Sequence, residues 1–145
     1  MRATAKKTRA TIVPCLRYKD AKAAIDWLCR VLGFKKHLVV PGKRGKIAHA
    51  QLTFGNGMVV LGSTEPSSEW GKLTKQPRQV GGAETQSPYL IVADADAVYA
   101  RAKRARAKVA LEIQDHDYGG RGFSVYDPEG HLWNIGTYDP WESDN

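Results

Sequence analysis

The sequence predicts an α+β fold made of two successive βαβββ modules. Three observations predict it. Two helix signals each follow an acidic cap, each is preceded by one strand-like run and followed by three more, and the two halves coincide when the chain is slid along itself. With Asp20-Ala21 placed on Asp94-Ala95, Ile25 falls on Tyr99 and Leu28 on Ala102. A displacement one residue shorter superposes Gly57 on Gly130. Identity between the halves is low, so the repeat is one of pattern.

The first helix begins after Asp20, whose carboxylate suits an N-cap, and ends at Gly33. Ala21, Ile25, Leu28, Cys29 and Leu32 share one face, an Asp26 to Arg30 pair lies on the other, and Trp27 falls between the two. The second helix follows Asp94 and turns Ala95, Val98, Tyr99, Ala102 and Ala105 inward. Small alanines there imply close packing on a sheet. Strand-like runs precede the helices at 11–18 and 87–93. After the first helix come 35–40, 46–54 and 58–63, the last two joined across Gly55-Asn56-Gly57. After the second come 108–114, 122–126 and 131–138, with Asp127-Pro128-Glu129-Gly130 forming a type I turn. These bounds predict a single domain with module one at 11–63, a Pro-, Gly- and Ser-rich linker at 64–86 and module two at 87–138. A connection of that length is functional or inert; Trp70 within it would suit a lid.

A chain of 145 residues, 42% hydrophobic and 26% charged, is an ordinary globular sequence that needs no cross-link to hold a core. The two cysteines, Cys15 and Cys29, read as free or buried thiols of a reducing cytoplasm. Every apolar run is far shorter than the ~20 residues of a membrane helix. Residues 1–9 are basic and lack the apolar segment of a secretion signal. The net charge is +7, and Arg101, Lys103, Arg104, Arg106 and Lys108 lie close together. No aromatic residue interleaves them, so they read as a solvated helix face and not as a nucleic-acid interface.

Two segments, LRYKDAKAAIDWLCRVLGF at 16–34 and GRGFSVYDPEGHLWNIGTY at 120–138, resemble the vicinal-oxygen-chelate superfamily, in its glyoxalase and bleomycin-resistance branch. The resemblance covers nearly the whole chain. It implies two βαβββ modules whose strands make a curved mixed eight-stranded sheet around a central cavity, with the helices outside. Metal-using relatives place ligands on the first and last strand of each module. Carried onto this chain, those positions fall at Val13, Leu61, Ser87 and Asn134, none of which is a His or Glu. Two aliphatic side chains, a hydroxyl and an amide have almost no affinity for a divalent transition metal, so no metal or other cofactor is expected.

Strand alternation assigns the remaining side chains. On 46–54, Ala48, Ala50, Leu52 and Phe54 form an apolar row that leaves His49, Gln51 and Thr53 opposite. The same rule sends Cys15 and Arg17, Tyr89, Glu112 and Gln114, Ser124 and Tyr126, and Leu132 and Asn134 toward the cavity. The expected ligand-binding set is therefore Cys15, Arg17, His49, Gln51, Leu61, Tyr89, Glu112, Ser124, Tyr126 and Asn134. Arg17 would grip a carboxylate or phosphate, or else pair with Glu112. His37, His116 and His131 lack ligand spacing and read as surface or turn residues. These features imply a metal-free protein that sequesters a small organic molecule, as a bleomycin-resistance protein does, and pairs as a homodimer through residues such as Trp27, Tyr138 and Trp141. The alternative is a metal-dependent lyase, isomerase or dioxygenase, with His49 and Glu112 as its acid–base pair.

Overall fold

The computed structural model describes residues 5–142, so residues 1–4 of the basic terminal stretch lie outside the described residues. The chain divides after Thr74 into two compact units. Each holds a four-stranded sheet with one helix on it, the α+β arrangement expected.

In the first unit β1 (Cys15–Tyr18), α1 (Ala21–Trp27), β2 (Lys35–Pro41), β3 (Ile47–Phe54) and β4 (Gly57–Ser63) give the sheet order β1-β4-β3-β2. β1 and β4 are parallel, and the rest of the ladder is antiparallel. Asp20 caps α1 by accepting from the Ala23 N–H at 3.1 Å. From Leu28 to Leu32 the helix widens into a π turn, with the Gly33 and Phe34 amides both donating to Leu28 O. The wider turn carries Val31 into the core and leaves Cys29 half-buried. Burial pushes the Cys29 thiol pKa up. Trp27, expected between the core stripe and the solvent face, is buried at 7% exposure beside Ala24 and Val31.

In the second unit β5 (Tyr89–Ile91), α2 (Ala95–Arg104), β6 (Lys108–Asp115), β7 (Arg121–Tyr126) and β8 (Leu132–Gly136) repeat the plan as β5-β8-β7-β6. Asp94 caps α2 through the Ala97 N–H at 3.1 Å. Ala95, Val98 and Ala102 are buried against the sheet, and Tyr99 meets Phe123 edge-on at 5.0 Å. Arg121 ties helix to hairpin by bonding Asp96 at 3.0 Å and Asp115 at 3.3 Å. The β7–β8 turn is organised by Asp127, which accepts from the Glu129 and His131 amides at 3.0 Å each and from Trp133 Nε1 at 3.1 Å. Trp133 is fully buried on the helix side. Among the described residues, no helix is long and apolar enough to cross a membrane.

The segment expected as a linker is shared between the units: residues up to Thr74 belong to the first and those from Lys75 to the second. It carries two short 3-10 turns, Gly71–Leu73 and Pro77–Val80.

Candidate functional site

Each sheet has one face covered by its helix and one left open, and cross-strand register decides which residue lies where. In the first unit Leu16 pairs with Leu61 and Leu61 with Ala50, and all are buried, which fixes the helix face. Cys15, Val60 and Gln51 pair on the opposite face, and Arg17 pairs with Gly62. Cys15, Arg17, His49 and Gln51 therefore sit on the open face, as alternation predicts. Gln51 Nε2 donates to His49 Nε2 at 3.1 Å. The Arg17 guanidinium lies 4.7 Å from the Trp70 ring centroid, and it rests over Gly62, where a Cβ would come within 2.2 Å of it. A residue with any side chain at 62 would displace it.

Leu61 is a correction. It is a core residue on the helix face, 2% exposed, and it does not face a ligand. The cause is register. Parallel pairing puts Val60 opposite Cys15 and Asn134 opposite Tyr89, so the equivalent of Asn134 in the first unit is Val60. Superposing Gly57 on Gly130 displaced the comparison by one residue, and on a strand one residue changes the face.

In the second unit Tyr89, Asn134 and Ser124 pair across three strands on the open face, followed by Tyr126 with Leu132. Ser124 Oγ donates to Asn134 Oδ1 at 2.7 Å, and Asn134 Nδ2 donates to Ser87 Oγ at 2.8 Å and to Pro88 O at 3.1 Å. The amide hydrogens of Asn134 thus hold β8 to the residues before β5, and its amide oxygen holds β8 to β7. Tyr89 lies flat over Gly136, where a Cβ would come within 2.7 Å of the phenol oxygen, and its hydroxyl donates to Tyr138 O at 2.7 Å. Burial pushes the Tyr89 pKa up, with the nearby Tyr118 adding to it. The phenol is a neutral donor at ordinary pH. The Lys108 ammonium lies 5.3 Å from the Tyr126 ring centroid.

Glu112 is the second correction. Irregularities in the β6–β7 ladder between Val109 and Leu111 and again between Leu111 and Gln114 break the alternation. Leu111 pairs with Ser124 on the open face, 62% exposed, and Gln114 returns to that face opposite Gly122. Glu112 turns to the helix side, where the Tyr99 hydroxyl donates to it and Lys103 Nζ lies 3.8 Å away. That hydrogen bond pushes the Tyr99 pKa up. Glu112 accordingly does not share the open face of its sheet with Ser124 and Tyr126, where the sequence had placed it.

One feature was missed by sequence reasoning. Residues 82–87 fold beside the β7–β8 hairpin and leave a cleft of about 230 Å³, lined chiefly by Glu84, Thr85, Gln86, Ser87, Tyr126 and Leu132. Glu84 Oε1 faces His131 Nδ1 at 3.2 Å and accepts from the Leu132 N–H at 3.4 Å. His131, expected only to close a turn, is buried at 7% exposure and holds this carboxylate as well. Glu84 stands in a Gly-Gly-Ala-Glu-Thr run with no periodicity, so no sequence signal marked it.

The residues at the four positions where relatives hold an ion do not fit one. Val13 precedes β1, Val60 takes the place first given to Leu61, and Ser87 and Asn134 are hydrogen-bonded to each other. Among the described residues, no group of three or more His, Cys, Asp or Glu side chains is placed to hold a metal.

Comparison with known proteins agrees with the architecture. The profile of the Glyoxalase/Bleomycin resistance protein/Dioxygenase superfamily matches residues 10–135. An uncharacterised protein of Mycobacterium bovis is 35% identical over 123 residues, covering 85% of this chain and 80% of its own. The crystal structure of TioX from Micromonospora sp. ML1 is 35% identical with a TM-score of 0.68, over 86% of this chain and 95% of that one. The fosfomycin resistance protein FosX of Mesorhizobium loti is 14% identical with a TM-score of 0.60, over 93% and 97% of the two chains, a likeness of fold alone.

Proposed function

Because the chain belongs to the Glyoxalase/Bleomycin resistance protein/Dioxygenase superfamily, we propose that it is a ligand-binding member that sequesters a small organic molecule without using a divalent ion. The observation carrying this reading is the chemistry at the metal positions. Valine side chains have no donor atom, and the Ser87–Asn134 pair is committed to the hydrogen bonds that shape the second sheet. What the open faces present is polar groups beside apolar surface: Cys15, Arg17, His49 and Gln51 in the first unit, and in the second Tyr126 with Tyr89, Ser124 and Asn134, whose donors are already bonded within the protein and which offer ring faces and lone pairs. Such a mixture is the usual lining of a small-molecule site.

In this reading the molecule is planar or aromatic, held by stacking and hydrogen bonds, and binding alone protects the cell from a toxic compound such as an antibiotic. The protein works as a cytoplasmic homodimer, in keeping with its two free thiols. Calorimetric titration of the purified protein against a panel of antibiotics and aromatic metabolites is expected to find at least one saturable ligand, with affinity unchanged by exhaustive chelation. Metal analysis that finds a near-stoichiometric ion, with loss of activity on its removal, would establish the metal-dependent enzyme instead.

A further inference from the structure

We propose that the cleft beside the β7–β8 hairpin is an amine-binding subsite in which Glu84 takes the ammonium group of the bound molecule. The inference rests on the small-molecule reading above and names the chemical class of ligand that this end of the second sheet accepts.

The carboxylate is held at one oxygen only. Oε1 receives both contacts, from the Leu132 N–H at 3.4 Å and from His131 Nδ1 at 3.2 Å. Among the described residues Oε2 takes no hydrogen bond, and no buried side-chain oxygen there lacks a partner. Oε2 is therefore open to the cleft or to solvent, although the side chain as a whole keeps only 19% of its exposure. A carboxylate so far withdrawn from water and left with one unbound oxygen favours a cationic donor over a neutral one. An Nδ1–H of His131 donating to Oε1, together with the Leu132 N–H, fixes the carboxylate's orientation. Among the described residues, no lysine or arginine lines the cleft to compete for the carboxylate.

The rest of the cleft supplies a floor. Tyr126 and Leu132 are paired across β7 and β8, so their side chains stand together on the open face. The Leu132 amide that bonds Glu84 sets the carboxylate at the edge of that floor. Ser87 lies at another wall, its hydroxyl already fixed by Asn134. Lys108 covers the Tyr126 ring from the β6 side, on the far side of Tyr126 from Leu132 in the sheet, and so leaves the Glu84 end to the ligand. At about 230 Å³ the cleft falls below the roughly 300 Å³ at which whole-ligand pockets begin, so it takes one ring or one arm of a larger molecule. An arylalkylamine group matches both its charge and its size.

The probes are benzylamine, benzyl alcohol and benzoate, which share a ring and differ only in the polar group. Each is titrated into ¹⁵N-labelled full-length protein, with the Leu132 amide resonance as reporter. Benzylamine is expected to bind most tightly and to shift Leu132. Glu84→Gln, which keeps an acceptor for Leu132 and His131, is expected to weaken benzylamine by about tenfold or more and to leave benzyl alcohol unchanged. The ranking in the unmutated protein needs no variant, so a misfolded Glu84→Gln leaves the test intact. Benzyl alcohol or benzoate moving Leu132 at equal or lower concentration than benzylamine overturns the amine assignment and leaves the small-molecule reading standing. If none of the three moves Leu132, the subsite itself is overturned, and the antibiotic and metabolite panel then decides the wider reading separately.

Discussion

The two units carry the same backbone plan and different chemistry. Their sheets share one strand order, their helices share an aspartate cap, and equivalent strands pair in equivalent registers. Yet the first unit has no Asp or Glu between Asp26 and Glu65 and sets Arg17 and His49 on its open face. The second knits Ser124, Asn134 and Ser87 into a hydrogen-bonded chain and adds the Glu84 carboxylate beside it. The duplicated scaffold keeps an apolar layer under each helix, though of different residues, while the open face carries different chemistry, which is how one fold serves many ligands.

The buried layer gives the largest test of that comparison. Val59 and Trp133 occupy equivalent places, each paired on the helix face, with Leu52 and Val125 respectively. Trp133 fills far more volume and also satisfies Asp127. Trp133→Ala is expected to cost about 4 kcal/mol, from the cavity and the hydrogen bond lost at Asp127 Oδ2, and Val59→Ala about 2 kcal/mol. Urea unfolding of the two variants checks the ratio. Equal losses would mean that the second unit does not depend on its tryptophan as the structure implies.

A subtler pair is Gly62 and Gly136, which pair with Arg17 and Ile91 in their parallel ladders. Each glycine leaves room for a side chain lying flat on the sheet, Arg17 over one and Tyr89 over the other. A methyl at 136 meets a rigid ring whose hydroxyl is already bonded to Tyr138 O, whereas a methyl at 62 meets chiefly the movable tip of an arginine. Gly136→Ala is therefore expected to cost about 2 kcal/mol by overpacking and Gly62→Ala about 1 kcal/mol or less. Gly62→Ala should still displace Arg17 from Trp70, read as a change in tryptophan emission on excitation at the red edge.

How much of this was legible in the sequence depended on whether the signal was local. Asp20 and Asp94 announce their helices because a cap bonds three residues ahead, and the Asp127 turn is written in adjacent residues. On β3 the alternation holds from Ala50 to Leu52, both buried, so Gln51 and its partner His49 fall on the face that alternation gives them, although Ala48 is exposed and Ile47 buried where the ladder shifts. On β6 the ladder irregularities show only in the pairing with β7, and nothing in the sequence 108–115 records them. Leu61 failed for a related reason: the two hairpin turns differ by one residue in where they place the strand that follows, which only pairing partners reveal. Glu84 was invisible because its meaning comes from His131 and Leu132, 47 and 48 residues away.

The smallest expected effect falls where strand alternation and register disagreed most. If alternation along β6 governed, Glu112 would reach the ligand and its loss would change binding. Register places it on the helix side, bonded to Tyr99 and near Lys103, with 69% of its side chain still exposed. An exposed pair of that kind contributes about 0–1 kcal/mol. Glu112→Ala is thus expected to lower stability by about 0.5 kcal/mol and to leave the affinity for any ligand found in the panel unchanged, whereas Leu111→Asp, on the open face opposite Ser124, should weaken it. Calorimetric titration of both variants decides the matter, because a loss of affinity in Glu112→Ala alone would restore the alternation reading and remove the bulges from β6.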